Sequence, residues 1–129
     1  MMTKSNVFKY FDNNSQIPKA ASDTFIGILP KGISDMTELF EALFNILLLP
    51  GYFGFNWDAL SDCLRDFHWL KEKNIVLVHE EMPQLSDDDL WEYLDVLYEC
   101  ITNWGDDEEH RLTVCFPEDC KGRIVDAID

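Results

Sequence analysis

The chain has 129 residues and a mass of 15.0 kDa, enough for one compact domain and too little for two ordinary ones. At 47% apolar and 13% aromatic it can build a core, which excludes a wholly disordered polymer. Twenty-five acidic residues against ten basic ones leave a net charge of −15. That surface repels phosphate backbones, argues against binding DNA or RNA, and favours encounter with a cationic protein.

Along the chain, residues 1–23 mix polar residues with Phe8, Tyr10 and Phe11 and read as an N-terminal extension without a legible periodicity. Thr24 to Leu29, bounded by Pro30 and Gly32, reads as a first strand. Ser34 or Asp35 offers an N-cap, and Leu39, Phe40, Leu43, Phe44, Ile46 and Leu47 follow at helical spacing until Pro50 ends the helix. Gly51 to Phe55 is a loop. Asn56 caps a second helix running to about His68, with Leu60, Cys63, Leu64 and Phe67 on one side and Asp58, Asp62 and Arg65 on the other. Ile75 to Val78 is a continuous aliphatic run, as expected of a strand buried on both faces. Ser86 caps a third helix whose stripe is Leu90, Leu94, Leu97, Ile101 and Trp104, with Glu92, Asp95 and Glu99 outward. Gly105 terminates it, Asp106 to Glu109 reads as a solvated loop, and Leu112 to Phe116 is a third strand stopped by Pro117. The order predicts an α/β domain over residues 24–116 with a parallel sheet, leaving residues 117–129 as a tail.

Met1 to Ala20 carries neither the apolar core nor the small-residue cleavage site of a secretory leader. No apolar run approaches the roughly 20 residues that span a bilayer. The expectation is a cytoplasmic protein, with no membrane partner, whose Cys63, Cys100, Cys115 and Cys120 are reduced. Cys115, Cys120 and His110 fit no standard zinc spacing, so no metal is expected. No phosphate-binding glycine loop and no nucleophile elbow is present. His68, His79 and His110 are isolated in sequence, and two aspartates on one helical face lack the opposing group that acid–base chemistry needs. A hydrolase built on Asp58, Asp62 and one histidine is therefore a minor alternative; no catalytic residue and no cofactor is expected.

What remains is Asp58 and Asp62, one turn apart. Like charges at that spacing destabilise a helix by a few tenths of a kcal/mol, about 0.2–0.5, unless a cation neutralises them. A cap acid followed by an ordinary solvated acid would look the same in isolation. The neighbouring Tyr52, Phe53, Phe55 and Trp57 tip the reading towards an interface, since aromatics beside charges are the composition of binding anchors.

The string Leu49-Pro50-x-Tyr52-aromatic-Gly54-x-Asn56-x-Asp58-Ala59-Leu60-x-Asp62-Cys63-Leu64 resembles the barstar signature, and the order of elements extends that likeness from about Thr24 to Phe116. The resemblance implies a three-stranded parallel sheet packed by helices, and an immunity protein that plugs the active site of a basic ribonuclease or other nuclease toxin. It also implies that Tyr52, Asn56, Asp58 and Asp62 bind the partner, with Asp62 in the pocket for substrate phosphate. By the same resemblance Glu99 falls where the family has a further contacting glutamate, and Phe67 where it has a contacting tryptophan. Ser61 replaces another tryptophan and Phe55 a polar residue, which bears on which toxin is bound. An acidic module of the same fold regulating a non-nuclease partner is the alternative.

Overall fold

In the computed structural model, which describes residues 3–105 and 108–129, four parallel strands lie in the order β1-β4-β3-β2. They are β1 (Lys9–Phe11), β2 (Thr24–Leu29), β3 (Asn74–His79) and β4 (Arg111–Pro117). Helices α1 (Met36–Ile46), α2 (Trp57–Leu64), α3 (Asp87–Asn103) and α4 (Lys121–Ile128) occupy the connections and the C-terminal segment. The expected α/β architecture is present, with four strands in place of three.

The fourth strand comes from the segment read as an extension: Lys9, Tyr10 and Phe11 pair with Cys115, Phe116 and Pro117. Three residues are too few to show a period of two, so this strand leaves no signal in the sequence. The expected tail likewise supplies α4, whose Ile124 is fully buried. The Ser5 backbone N–H and hydroxyl both donate to the Asp129 carboxylate, drawing the two flanking segments together. Of the acidic run at 106–109, Glu108 and Glu109 are exposed, while residues 106 and 107 lie outside the described residues.

The aliphatic run of β3 is buried on both sides, as its composition requires. Ile75 and Leu77 join the main core beneath the helices, whereas Val76 and Val78 join Cys115 in a smaller cluster on the opposite face. Gly27 sits where α1 ends against β2. A Cβ there would lie 2.9 Å from Leu47 Cδ2 and 3.2 Å from the Ile46 carbonyl oxygen, so only glycine permits this approach.

Helix ends are satisfied largely by side chains. Asp35 Oδ1 accepts the Glu38 N–H at 2.8 Å, and Ser86 Oγ accepts the Asp89 N–H at 3.2 Å. At the other ends, the Trp69 indole N–H donates to the Leu47 carbonyl and that of Trp104 to the Leu64 carbonyl, each at 3.0 Å. Two tryptophans thus do the work that a C-terminal glycine usually does, closing orphan carbonyls while burying apolar rings.

His79 is wholly buried. Its Nδ1 donates to the Cys115 carbonyl at 3.0 Å, which leaves Nε2 to accept the Tyr93 hydroxyl at 2.6 Å. Its ring stacks on Phe116 at 4.0 Å. Burial lowers its pKa to about 4, against the opposing pull of the Cys115 bond. Burial also raises the Tyr93 hydroxyl. All four cysteines are buried free thiols, and Cys115 and Cys120 fall in different clusters.

Candidate partner-binding site

The loop before α2 turns tightly, with the Phe53 N–H bonded to the Pro50 carbonyl at 2.9 Å. That turn sorts its aromatics. Phe53 is buried against Phe40, Phe44 and Phe55, and Trp57 packs edge-on to Phe40 at 4.8 Å. Tyr52 and Phe55 remain 70% and 45% exposed, so the core absorbs some of the cluster and leaves the rest at the surface. Phe55 adopts a φ of 54°, a region that a side-chain-bearing residue enters at a cost of about 1–2 kcal/mol. Immediately afterwards Asn56 caps the helix: its Oδ1 accepts the Ala59 N–H at 2.8 Å while its Nδ2 donates to the Gly54 carbonyl at 3.2 Å. One side chain thereby fixes both the loop and the start of α2.

Leu60, Cys63 and Leu64 bury the inner face of α2, which leaves Asp58 and Asp62 outward. Asp62 is 77% exposed and pairs with Arg65 at 3.3 Å across one turn. Asp58 is exposed, and its carboxylate makes no hydrogen bond or ion pair with another described residue. Tyr52, Phe53, Ala59, Asp62, Cys63 and Asp66 line a cavity of about 180 Å³ between the loop and the helix. The Cys63 thiol on its wall is raised by burial first and then by Asp62 and Asp66.

Asp66 is the acid that the pattern should have revealed, since it continues the four-residue spacing of Asp58 and Asp62. Its Oδ2 lies 2.6 Å from His68 Nδ1. Neither of the other histidines bonds to Asp58, Asp62 or Asp66: His79 is held by Tyr93, and His110 by the Glu72 carbonyl at 2.8 Å. Among the described residues no histidine hydrogen-bonds to Asp58 or Asp62.

Glu99 is exposed on α3, one residue from the buried Cys100. Cys100 Sγ donates to the Ser61 carbonyl of α2 at 3.6 Å, where α3 packs against α2. The Cys100 thiol is pushed up to about 11, by burial foremost; Ser61 and Arg65 oppose that, and Glu99 and Asp62 add to it. Tyr52, Asn56, Asp58, Asp62 and Glu99 therefore all reach solvent. Phe67 does not. The helix stops at Leu64 rather than near His68, and Phe67, at a φ of 52°, turns its ring inward among Trp69, Trp104 and His110. It has no exposed surface in the free protein, contrary to the contacting position expected of it. Asp95, expected outward, is partly covered and pairs with Lys4 at 3.6 Å.

Among the described residues no helix is long and apolar enough to cross a membrane, and no group of three metal-ligating side chains converges. Comparison with curated proteins returns no match. The family model described as Barstar (barnase inhibitor) matches residues 24–117, most of the chain and all of the elements from β2 to β4; the chain belongs to the barstar family.

Proposed function

We propose that the protein is an immunity protein that blocks the active site of a basic ribonuclease toxin, using the α2 face and the loop before it. The observation that carries this reading is the solvent-facing pair Asp58 and Asp62 on a capped helix, beside the exposed ring of Tyr52. Two carboxylates at fixed separation imitate neighbouring phosphates, and hydrogen bonds between ions strengthen when the contact excludes water. Asn56 sets the loop conformation that holds Tyr52 outward, and Glu99 extends the acidic surface onto α3. Meeting such a face, a nuclease cleft finds substitutes for substrate at its arginines, lysines and histidines.

The test is titration of a candidate basic ribonuclease toxin with the purified chain, with stoichiometric loss of RNA cleavage expected. Binding without inhibition would favour a module acting on a non-nuclease partner. Because the net charge is −15, the association rate should fall steeply as salt rises through the range where the screening length shrinks from about 30 to 10 Å. A flat salt dependence would show the charge to be incidental.

Arg65 supports the same reading from inside the molecule. In the free protein its guanidinium occupies the place beside Asp62 that a toxin cation would take. Exposed pairs of this kind contribute only about 0.2–1 kcal/mol. Arg65→Ala should therefore leave stability nearly unchanged and strengthen the complex by up to a few-fold. A marked weakening would assign Arg65 a direct contact with the partner.

A further inference from the structure

The sheet's second face, away from α2, holds a cleft of about 570 Å³ that lies between the N-terminal segment and the domain. Its floor is apolar: Phe11, Ile17, Ile28 and Val78. Ile28 is 50% exposed, although its register partner Val78 is buried in the small cluster of this face. Lys19 and Lys31 stand at its rim, both exposed and neither in an ion pair with a described residue. Elsewhere the cavities are lined by acids, as where Asp88, Asp89 and Glu92 surround Trp57 and Trp91. Two of only ten basic residues thus frame an apolar floor in a strongly acidic protein.

We propose that this cleft binds a small amphiphilic anion, an apolar body carrying one carboxylate-like head. The volume lies within the roughly 300–1,000 Å³ usual for small-molecule sites and is too small for a folded partner. Ile17, Ile28 and Val78 cover the apolar body, removing surface that water otherwise meets. Lys19 and Lys31 hold the head, and the Asn14 side chain lies in the same lining. Glu80 contributes one opposing charge, so the lining carries a single net positive charge and suits a monoanion. More than half of this wall comes from residues preceding the 24–117 segment that matches the family, so the cleft depends on this chain's own N-terminal segment.

Titration of the ¹⁵N-labelled full chain with 4-phenylbutyrate tests the assignment. Saturable shifts are expected at Ile17, Lys19, Ile28 and Lys31, and 4-phenylbutan-1-ol should bind roughly tenfold more weakly, as expected for losing two exposed charge contacts. Lys19→Gln with Lys31→Gln should weaken the carboxylate by a similar factor while leaving the alcohol unchanged. The proposal is overturned if the alcohol binds as well as the acid, if the shifts centre on the Tyr52 and Asp62 cavity, or if no saturation is reached at low millimolar ligand. Inorganic phosphate binding as well as 4-phenylbutyrate would likewise overturn it, since the apolar floor would then play no part.

Discussion

Asp62→Ala is expected to weaken the complex with the cognate toxin by more than about 2 kcal/mol, about thirtyfold in Kd, the level at which an interface residue counts as a hot spot. The same substitution should scarcely move the melting temperature. Asp62 is 77% exposed and its partner in the free protein is the exposed Arg65, so the fold loses about 1 kcal/mol at most. Removing it also relieves repulsion with Asp58, which offsets part of that loss. The large effect arises in the complex, where a toxin cation is left desolvated and unpaired. Asp62→Asn separates charge from shape: it keeps the volume and should lose nearly as much affinity. Titration calorimetry together with thermal melts makes the comparison, and unchanged affinity on Asp62→Ala would remove Asp62 from the centre of the interface.

Acid should unfold the protein through His79. The unfolded imidazole takes up its proton near pH 6.5, but the folded one resists until about pH 4, chiefly because burial disfavours the charged ring. Between those values the unfolded state binds more protons, so stability falls as pH falls. It is unaffected above about 6.5, and the loss levels off below about 4. The full penalty approaches about 3 kcal/mol, a large share of a marginal stability of roughly 5–15 kcal/mol. The groups facing the ring are the Tyr93 hydroxyl, the Cys115 carbonyl and Phe116, none of which is a carboxylate able to stabilise the cation. Urea midpoints at pH 7 and pH 4.5 measure the effect. Protonation of surface acids over the same range relieves net negative charge and works the other way. His79→Gln separates the two, because it should start less stable but lose the downward slope; an unchanged slope in that variant would place the acid sensitivity elsewhere.

Sequence patterning disclosed the elements that bury a repeating stripe. Leu39, Phe40 and Leu43 marked α1, Leu90, Leu94 and Leu97 marked α3, and Ile75 to Val78 marked the strand buried on both faces. The outward acids of α2 followed from the same wheel, because Leu60, Cys63 and Leu64 leave Asp58 and Asp62 only the solvent side. Hidden were features set by tertiary context. A strand of three residues carries no period, and α4 spans only eight residues with a glycine near its start. The early end of α2 was hidden too, because it depends on the left-handed Phe67 and on the Trp104 indole reaching the Leu64 carbonyl from forty residues away. Phe67 fell on the apolar side of the same wheel, and its ring lies in the core; it was the resemblance alone that assigned it to the partner surface. Asp66 was legible by spacing and was eclipsed by its two predecessors.

The position of β4 bears on how the molecule is made. It is the last of these four strands to leave the ribosome, yet it lies between β1 and β3. Until residues 111–117 emerge, β3 can pair only with β2, and the main-chain groups along its other edge have no neighbour. That edge belongs to an aliphatic segment, the kind that recruits foreign strands when left open. Synthesis through residue 117 must therefore precede closure of the sheet, and a nascent chain halted before residue 111 would be a candidate for aggregation or chaperone capture rather than a smaller working protein.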